Sequence, residues 1–480
     1  MWAAINLLYR RHKKEFHPEH PGVSFVFLKP HLSLPSPRPI DFSRRTGGAI
    51  FFRPLGKIYF FISYAIFWLK PGGYHFISLM IHLTTGLVVY FWAKLILKDK
   101  LAAFLTSLLF VFHPIHSESV VWASGIMILL FGFFGLCMLL FYEKYQREEK
   151  KPFFLLSLIL FFFALLSHEL AIVLPLVVIW SKFCFRRKKF FQKTAVLEFV
   201  PFLEVLLFYL CLRWAAGTHW FSGDYSINLK RLPFNFLGNF LGYLGEFLFG
   251  KRFIPVYEIL RSFWRTRIFA FCGLSVIVGF FVFLVFWLLK RTKIYQKIVD
   301  QNTVFGLGFI FFALFSVLGL GNIAERYTYL ALAGFSLLVP CLIMKLKDFL
   351  LRRNYYLASA VTFLITVFLL TFYRNDFKKF EAEWKEAGGI TFNTLTVLRQ
   401  NYPSFPKGST LFFVNVPIRV GRAWVFPVGL EDALWFVYRD PTLGVRKESD
   451  RRMALSLTES IPNSFVFEFE EKELKELKME

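Results

Sequence analysis

Residues 118–142 read ESVVWASGIMILLFGFFGLCMLLFY and carry no charged side chain after Glu118. A bilayer core about 30 Å thick needs roughly twenty apolar residues in a helix, so this stretch is predicted to cross a membrane. The rest of the chain supports that interpretation. Of its 480 residues, 56% are hydrophobic and Phe alone occurs 65 times, which is more than a soluble core of this size accommodates.

Nine other segments are apolar in the same way, so the sequence predicts a mainly α-helical bundle of about ten spans. They are residues 74–96, 101–114, 152–167, 169–185, 195–213, 268–290, 303–320, 328–346 and 356–373. Segments 57–69 and 232–250 keep polar residues on one side and are predicted to be interfacial helices. The alternative for 232–250 is a further span, which would reverse the orientation of everything after it.

Clusters of Lys and Arg fall in the loops after every second span, and such loops are typical of the cytoplasmic side. The net charge of +24 is therefore attributed to membrane topology. Nucleic acid is not a predicted partner, because no basic recognition module is present. The sequence predicts a multi-pass protein of the plasma (inner) membrane, in contact with membrane lipids, whose other turns and C-terminal tail are extracytoplasmic.

Three regions follow from this reading: an N-terminal segment at 1–50, a transmembrane domain at 51–374 and a soluble tail at 375–480. We expect the N-terminal segment to be shortened, because no convincing span precedes the one at residue 74. In the tail, Thr410–Asn415 and Ala423–Phe426 are predicted strands and Leu430–Tyr438 a helix, which together indicate a small α/β domain. The ending EFEEKELKELKME is predicted to be a solvated helix. The five cysteines show neither metal-binding spacing nor a disulfide framework.

The turn HPIHSES between two spans contains two imidazoles and a carboxylate within six residues: His113, His116 and Glu118. Such a set can bind a divalent metal, contact phosphate oxygens or shuttle protons. The alternative is a capped turn whose histidines only form structural hydrogen bonds.

Three more polar clusters lie on the same predicted side. They are His168 with Glu169; Glu325 and Arg326 with Tyr327; and Arg53 with His75, below which His82 faces the bundle. Alternatives are helix capping at Ser167, a local ion pair between Arg326 and Glu325, and a satisfied interior His82. Because ionisable groups at membrane depth are costly, their gathering on one side indicates a site for the phosphate of an anionic lipid.

Four segments in order resemble a known pattern: RPLGKIYFFISYAIFWLKPGGYHFISLMIHL, FHPIHSESVVWASG, LLSHELAIVLPL and AERYTYLALAGFSLL. Over roughly residues 50–375 they resemble bacterial membrane glycosyltransferases of the GT-C class, in particular the protein O-mannosyltransferase-like group that includes the tetratricopeptide-linked O-mannosyltransferases. The resemblance implies transfer of a sugar from a polyprenyl-phosphate donor to a protein or glycan acceptor on the extracytoplasmic face. It implies that Arg326 and Arg53 hold the donor phosphate.

On the same resemblance, His75, His113, His116, Glu118, His168, Glu169, Glu325 and Tyr327 line the cavity, and His113, His116 and Glu118 are the candidates for a divalent metal. No other cofactor is implied. Members of the group usually have Lys at the position of His168, so we expect a side chain that titrates near neutrality to replace a permanent cation.

The group's catalytic acid lies just after a first span, and no matching acidic pair is present in this chain. Glu15, Glu19 and Asp41 are the acids that precede Arg53 and are the weak candidates. Two alternatives to the transferase stay open: a polytopic transporter, and a catalytically inactive scaffold of GT-C type. Inverted repeats and broken helices, which favour a transporter, are not evident in the sequence.

Overall fold

The computed structural model describes residues 51–68, 70–191, 193–218, 228–266, 300–351, 355–427 and 429–477. These residues divide into two compact units. One unit contains Gly47–Phe61 and His75–Asp376, and the other combines Ile62–Tyr74 with Phe377–Glu480. In the C-terminal half, the boundary between the units falls after Asp376.

The first unit is helical. Its helices, some of which extend into the second unit, are α1 Pro54–Phe67, α2 Pro71–Leu97, α3 Lys100–Phe112, α4 Ser117–Val121, α5 Ile126–Glu148, α6 Lys151–Ser167, α7 Leu174–Phe185, α8 Arg187–Phe190, α9 Lys193–Ala215, α10 Leu232–Phe249, α11 Phe253–Thr266, α12 Gln301–Leu314, α13 Ala331–Leu351 and α14 Tyr355–Asn401. Single 3₁₀ turns occupy Pro114–His116, Ala123–Gly125, Glu169–Val173, Leu229–Arg231, Gly250–Arg252 and Glu325–Thr328.

Fewer helices than expected satisfy the requirements of a span. Among the described residues, two are long and apolar enough to cross a membrane, Pro71–Leu97 and Ala123–Glu148. A pair bent by 45°, Lys100–Phe112 with Pro114–Val121, would make a third. The prediction of about ten spans is therefore wrong for this part of the chain, and the predicted span 268–290 lies outside it.

Turns inside the apolar runs explain the lower number of spans. His113 and Pro114 end α3, His168 and the 3₁₀ turn after it shorten α7, and α12 ends at Leu314 although the apolar sequence continues. The resulting pieces include apolar helices of 10–17 residues, such as Lys151–Ser167 and Gln301–Leu314. Apolar composition predicts burial or lipid contact, but it does not reveal where capping side chains break a helix.

The helices share one buried core and expose another apolar surface. α5 packs along α6, and α12 packs against both α7 and α13. In the core, the Trp92 ring lies 6.0 Å from that of Phe305 and 5.2 Å from that of Phe309. The outer faces of α1 and α2 leave large side chains exposed, including Phe61 and Phe76. An apolar surface of this extent fits contact with lipid, as the composition predicts.

The C-terminal unit is a small α/β domain, as predicted. Its elements are β1 Thr410–Val414, β2 Arg419–Val420, β3 Ala423–Trp424, α15 Leu430–Tyr438, β4 Gly444–Glu448, α16 Arg451–Ser460, β5 Ser464–Glu470 and β6 Glu473–Glu476. The main sheet has the order β4-β1-β5-β6, with β1 parallel to both of its neighbours and β6 antiparallel to β5. The buried rings of Phe413 and Phe467 stack at 5.3 Å between adjacent strands.

The predicted helix at the C-terminus is wrong, because β5 and β6 form a hairpin there. Residues 464–470 alternate in period two, and Glu471 and Lys472 both have positive φ values, which turn the chain tightly. The many Glu and Lys side chains of this ending lie mostly on exposed positions of the hairpin. The high content of charged side chains therefore did not predict the secondary structure of this ending correctly.

Candidate functional site

Arg326 and Glu118 join two of the predicted polar clusters. The Arg326 guanidinium donates from Nη1 to Glu118 Oε1 at 3.1 Å, and the Arg326 backbone N–H donates to Glu118 Oε2 at 3.2 Å. Arg326 Nη2 also donates to the Tyr327 hydroxyl at 3.2 Å. The Glu118 side chain is 4% exposed and that of Arg326 18%. This pairing joins distant segments of the chain, and the Arg326 side chain stays partly exposed.

Arg53 and Glu169 form a second pair of the same kind. Arg53 Nε and Nη2 donate to the two oxygens of Glu169 at 2.8 and 2.5 Å, which is the bidentate geometry of a guanidinium with a carboxylate. The side chains are 14% and 19% exposed. Arg53 lies just before α1 and Glu169 opens the 3₁₀ turn after α6. The structure therefore brings together two residues that the sequence placed in separate clusters.

His168 is buried beside this pair and caps the 3₁₀ turn. Its Nδ1 accepts the backbone N–H of Leu170 at 3.2 Å, so in the neutral ring Nε2 carries the proton. Burial, then the positive charge of Arg53, lowers the pKa of His168 to about 3, and Arg326 and Arg213 act in the same direction. The expectation that this side chain titrates near neutrality is wrong, because desolvation and three nearby guanidinium groups disfavour the imidazolium.

His113 is placed in the same way at the end of α3. Its Nδ1 accepts the backbone N–H of Ile115 at 3.3 Å, and its Nε2 lies 3.1 Å from the carbonyl oxygen of Phe247. Both ring nitrogens of His113 therefore contact backbone groups. Among the described residues, no group of three His, Cys, Asp or Glu side chains is arranged to bind a metal ion. The structure therefore does not assemble His113, His116 and Glu118 into the metal site considered from their spacing.

The His116 side chain is buried among other aromatic rings. Its ring centroid lies 4.5 Å from that of Tyr329 and 5.0 Å from that of His82. His82 Nδ1 is 2.9 Å from the Tyr329 hydroxyl. A Cβ at Gly132 would lie 2.2 Å from Tyr329 Cδ1, so only glycine at this position allows the tyrosine to pack there. His116 and His82 therefore pack in the interior of the helical unit.

The remaining predicted residues are placed less centrally. Glu325 is buried at the start of its 3₁₀ turn, where its carbonyl oxygen accepts the Thr328 hydroxyl at 2.6 Å. His75 is exposed, and none of the described hydrogen bonds joins it to the arginine and glutamate pairs. The candidate acids Glu15, Glu19 and Asp41 lie outside the described residues.

Two residues at this end of the bundle were missed by the sequence analysis. Arg213 is buried near the end of α9, and its charge acts on His168. Asp376 is buried within α14, with Oδ1 3.8 Å from Arg252 Nη2, and none of the described residues forms a hydrogen bond with its Oδ2. Arg213 lies at the outward end of one predicted apolar span, and Asp376 lies just beyond the outward end of another. An ionisable residue at that position was the available signal, although it is shared with many structural residues.

No family model matches the chain. Curated proteins do match it over limited segments. Human protein O-mannosyl-transferase TMTC3 is 34% identical over 93 residues, 19% of this chain and 10% of that protein. Human TMTC2 is 29% identical over 148 residues, covering 29% and 18%. Drosophila melanogaster Tmtc3 is 29% identical over 154 residues, covering 28% and 16%.

The chain thus spans less than a fifth of the length of these relatives. Over 19–29% of its own length it is similar to proteins named protein O-mannosyl-transferases, which confirms the resemblance to the O-mannosyltransferase-like group.

Proposed function

We propose that this protein is a membrane glycosyltransferase that moves a sugar, mannose in the first instance, from a polyprenyl-phosphate donor to a protein acceptor. The observation that carries the proposal is the pair of partly exposed guanidinium groups, Arg326 and Arg53, each held by a carboxylate at one end of the helical bundle. The similarity to protein O-mannosyl-transferases supports the same reaction class.

The chemistry requires stabilisation of a leaving phosphate. The acceptor hydroxyl oxygen bonds to the anomeric carbon and loses its proton to water or to the leaving phosphate. The bond from that carbon to the phosphate oxygen breaks, and the lipid phosphate leaves with the bonding electron pair. Negative charge then grows on the phosphate oxygens. Guanidinium groups that are already oriented stabilise such charge at little reorganisation cost, and a low-dielectric setting strengthens the effect.

Glu118 and Glu169 have an orienting role in this proposal. Each carboxylate contacts its arginine through two hydrogen bonds, which fixes the plane of Arg53 and ties Arg326 to the backbone of its own turn. The Arg326 and Arg53 side chains are 18% and 14% exposed, so both are partly accessible from outside the protein. Neutral His168 next to the pairs avoids a further buried cation.

The proposed side of the reaction is extracytoplasmic. The arginine and glutamate pairs lie at the ends of α3 and α6 and before α5 and α7, whereas the basic clusters lie at the opposite ends of those helices. The positive-inside rule then favours the cytoplasm for the basic end.

The test is sugar transfer by the purified full chain in liposomes that contain polyprenyl-phosphate mannose labelled in the sugar. Wild type is expected to transfer label to a protein acceptor. Arg326→Gln and Arg53→Gln should each reduce the rate by about 10²–10³, the usual effect of removing one preorganised donor. Arg326→Lys should retain only part of the wild-type rate, because Lys keeps the positive charge but lacks the planar guanidinium fork.

The control is Arg231→Gln, an exposed arginine before α10, which should leave transfer unchanged. Equal rates for wild type and Arg326→Gln, with both chains folded, would remove the phosphate-binding role from Arg326. Label that crosses the bilayer without reaching an acceptor would identify a transporter instead.

A further inference from the structure

A cavity of about 420 Å³ lies at the other end of the bundle, away from the arginine and glutamate pairs. It is formed where α2, α5 and α7 end and α12 begins. Small-molecule sites commonly have volumes of about 300–1,000 Å³, so the cavity is large enough for a headgroup.

Its charged lining is mainly cationic. Lys98, Arg147 and Arg186 line the cavity, together with the carboxylates of Glu143 and Asp300. Asp300 is neutralised by Lys345, whose Nζ lies 2.6 Å from Asp300 Oδ1. Positive charge therefore exceeds negative charge around this space.

The fold holds the two arginines in place and leaves them able to bind. Arg186 Nη2 donates to the backbone carbonyl oxygen of Gln146 at 2.9 Å, and Arg147 Nη2 donates to that of Leu95. Each of these bonds uses one of five N–H donors of a guanidinium. Two positioned guanidinium groups are a usual arrangement for recognition of phosphate.

The start of α12 adds backbone donors. Asp300 caps this helix, accepting the Thr303 N–H at 2.9 Å, and Gln301 and Asn302 line the cavity. Backbone N–H groups in the first turn of a helix have no partner within the helix and carry partial positive charge. An anion in the cavity would be stabilised by this helix end as well as by the three cations.

The apolar lining identifies the type of anion. Ile96, Leu97 and Phe185 line the cavity beside the cations. Along α2, the exposed side chains of Leu87 and Phe91 continue towards this end of the helix. We propose that the cavity binds the phosphate of an anionic phospholipid at the basic end of the bundle, with the acyl chains lying along the outer face of α2. This inference does not depend on the proposed transferase activity.

The experiment is native mass spectrometry of the full chain in detergent, titrated with phosphatidylglycerol or with phosphatidylcholine. Wild type should retain phosphatidylglycerol preferentially. Each cation near a membrane surface contributes roughly a fivefold change in affinity, so Arg147→Gln/Arg186→Gln should bind phosphatidylglycerol about 25-fold more weakly. Lys98→Gln, an exposed side chain whose loss leaves the fold intact, should weaken binding about fivefold.

The matched control is Arg187→Gln, which removes the same charge from the neighbouring exposed residue outside the cavity and should bind as wild type does. A second titration uses inorganic phosphate alone. If inorganic phosphate binds and is lost in the variants while the two lipids bind equally, the ligand is free phosphate and the lipid proposal is overturned. Equal retention of both lipids by wild type, Lys98→Gln and the double variant would also overturn it.

Discussion

Arg326 donates to both oxygens of Glu118, once from its backbone N–H at 3.2 Å and once from Nη1 at 3.1 Å, although 208 positions separate the two residues. This pairing fixes the 3₁₀ turn of Arg326 against the turn that follows α3. Because the carboxylate is buried, its partner sets both the stability of this end of the bundle and the orientation of the guanidinium.

Glu118→Gln should therefore destabilise the protein and impair sugar transfer together. An uncharged amide loses the charge-assisted bonds and removes the carboxylate charge from beside Arg326, which costs about 2–3 kcal/mol at a largely buried pair. Thermal unfolding in detergent measures the first effect. Glu204→Gln, at an exposed position of α9, is the control and should change stability by less than about 0.5 kcal/mol. Equal effects of the two substitutions would contradict the structural role of Glu118.

A double-mutant cycle should detect coupling between Arg53 and Glu169. The bidentate geometry and low exposure of the pair predict a coupling free energy of about 1–2 kcal/mol from Arg53→Gln, Glu169→Gln and the double variant. The exposed pair of Lys150 with Glu148, at 2.8 Å, provides the comparison and should couple by less than about 0.5 kcal/mol. Coupling of Arg53 with Glu169 no larger than in that exposed pair would be evidence against a preorganised site.

The local features of this site could be predicted from the sequence, but its pairings could not. Apolar runs and short polar turns identified the helices near α2 and α6 and the histidines that cap the turns. Which carboxylate would meet Arg326 depends on how distant helices pack, and no local pattern encodes that choice. Glu118 lies 208 positions from Arg326 in the chain, yet the fold brings the two side chains within hydrogen-bonding distance.

In the C-terminal tail, too, local features could be predicted from the sequence and long-range pairings could not. The apolar run Thr410–Asn415 was correctly predicted as a strand, β1, and the bounds of the helix Leu430–Tyr438 were predicted correctly. The C-terminal hairpin was predicted as a helix because its Glu and Lys content outweighed a short alternation. Pairing with the parallel strand β1 decides the outcome there, and such a long-range partner is invisible to composition.

His168 predicts a distinct response of stability to acid. Its pKa of about 3 lies below the ordinary value of 6.5, so the folded chain binds fewer protons at this site than the unfolded chain. Its contribution to stability is complete above about pH 6.5 and is lost as the pH falls towards 3, by roughly 2 kcal/mol at about pH 5.

His168→Asn tests this response, because the amide oxygen can still accept the Leu170 N–H at the cap while the side chain no longer titrates. Unfolding free energies of wild type and variant should converge as the pH falls from 7 towards about 5. A difference that stays constant with pH would show that the pKa of His168 is the same in the folded and unfolded chains, and so is not lowered by folding. His168→Lys should destabilise the protein at all pH values, since it buries a cation beside Arg53, Arg213 and Arg326.

Gly250 permits the close approach of Asp376 to the turn after α10, and its replacement should be costly. The residue has a φ of +60°, and a Cβ at this position would lie 2.4 Å from Asp376 Oδ2. Gly250→Ala combines backbone strain with a clash against a buried carboxylate, so a loss of about 2–4 kcal/mol in unfolding free energy is expected.

Gly238 in the preceding helix α10 provides the matched control, since nothing lies within 4 Å of a Cβ built there. Gly238→Ala should stabilise the protein by about 0.5–1 kcal/mol through its higher helix propensity. If Gly250→Ala is as stable as Gly238→Ala, the Asp376 carboxylate does not lie against this turn. If the expected loss is seen, Gly250→Ala/Asp376→Asn should be no more stable than Gly250→Ala, because an amide has the same size as the carboxylate and the steric conflict remains.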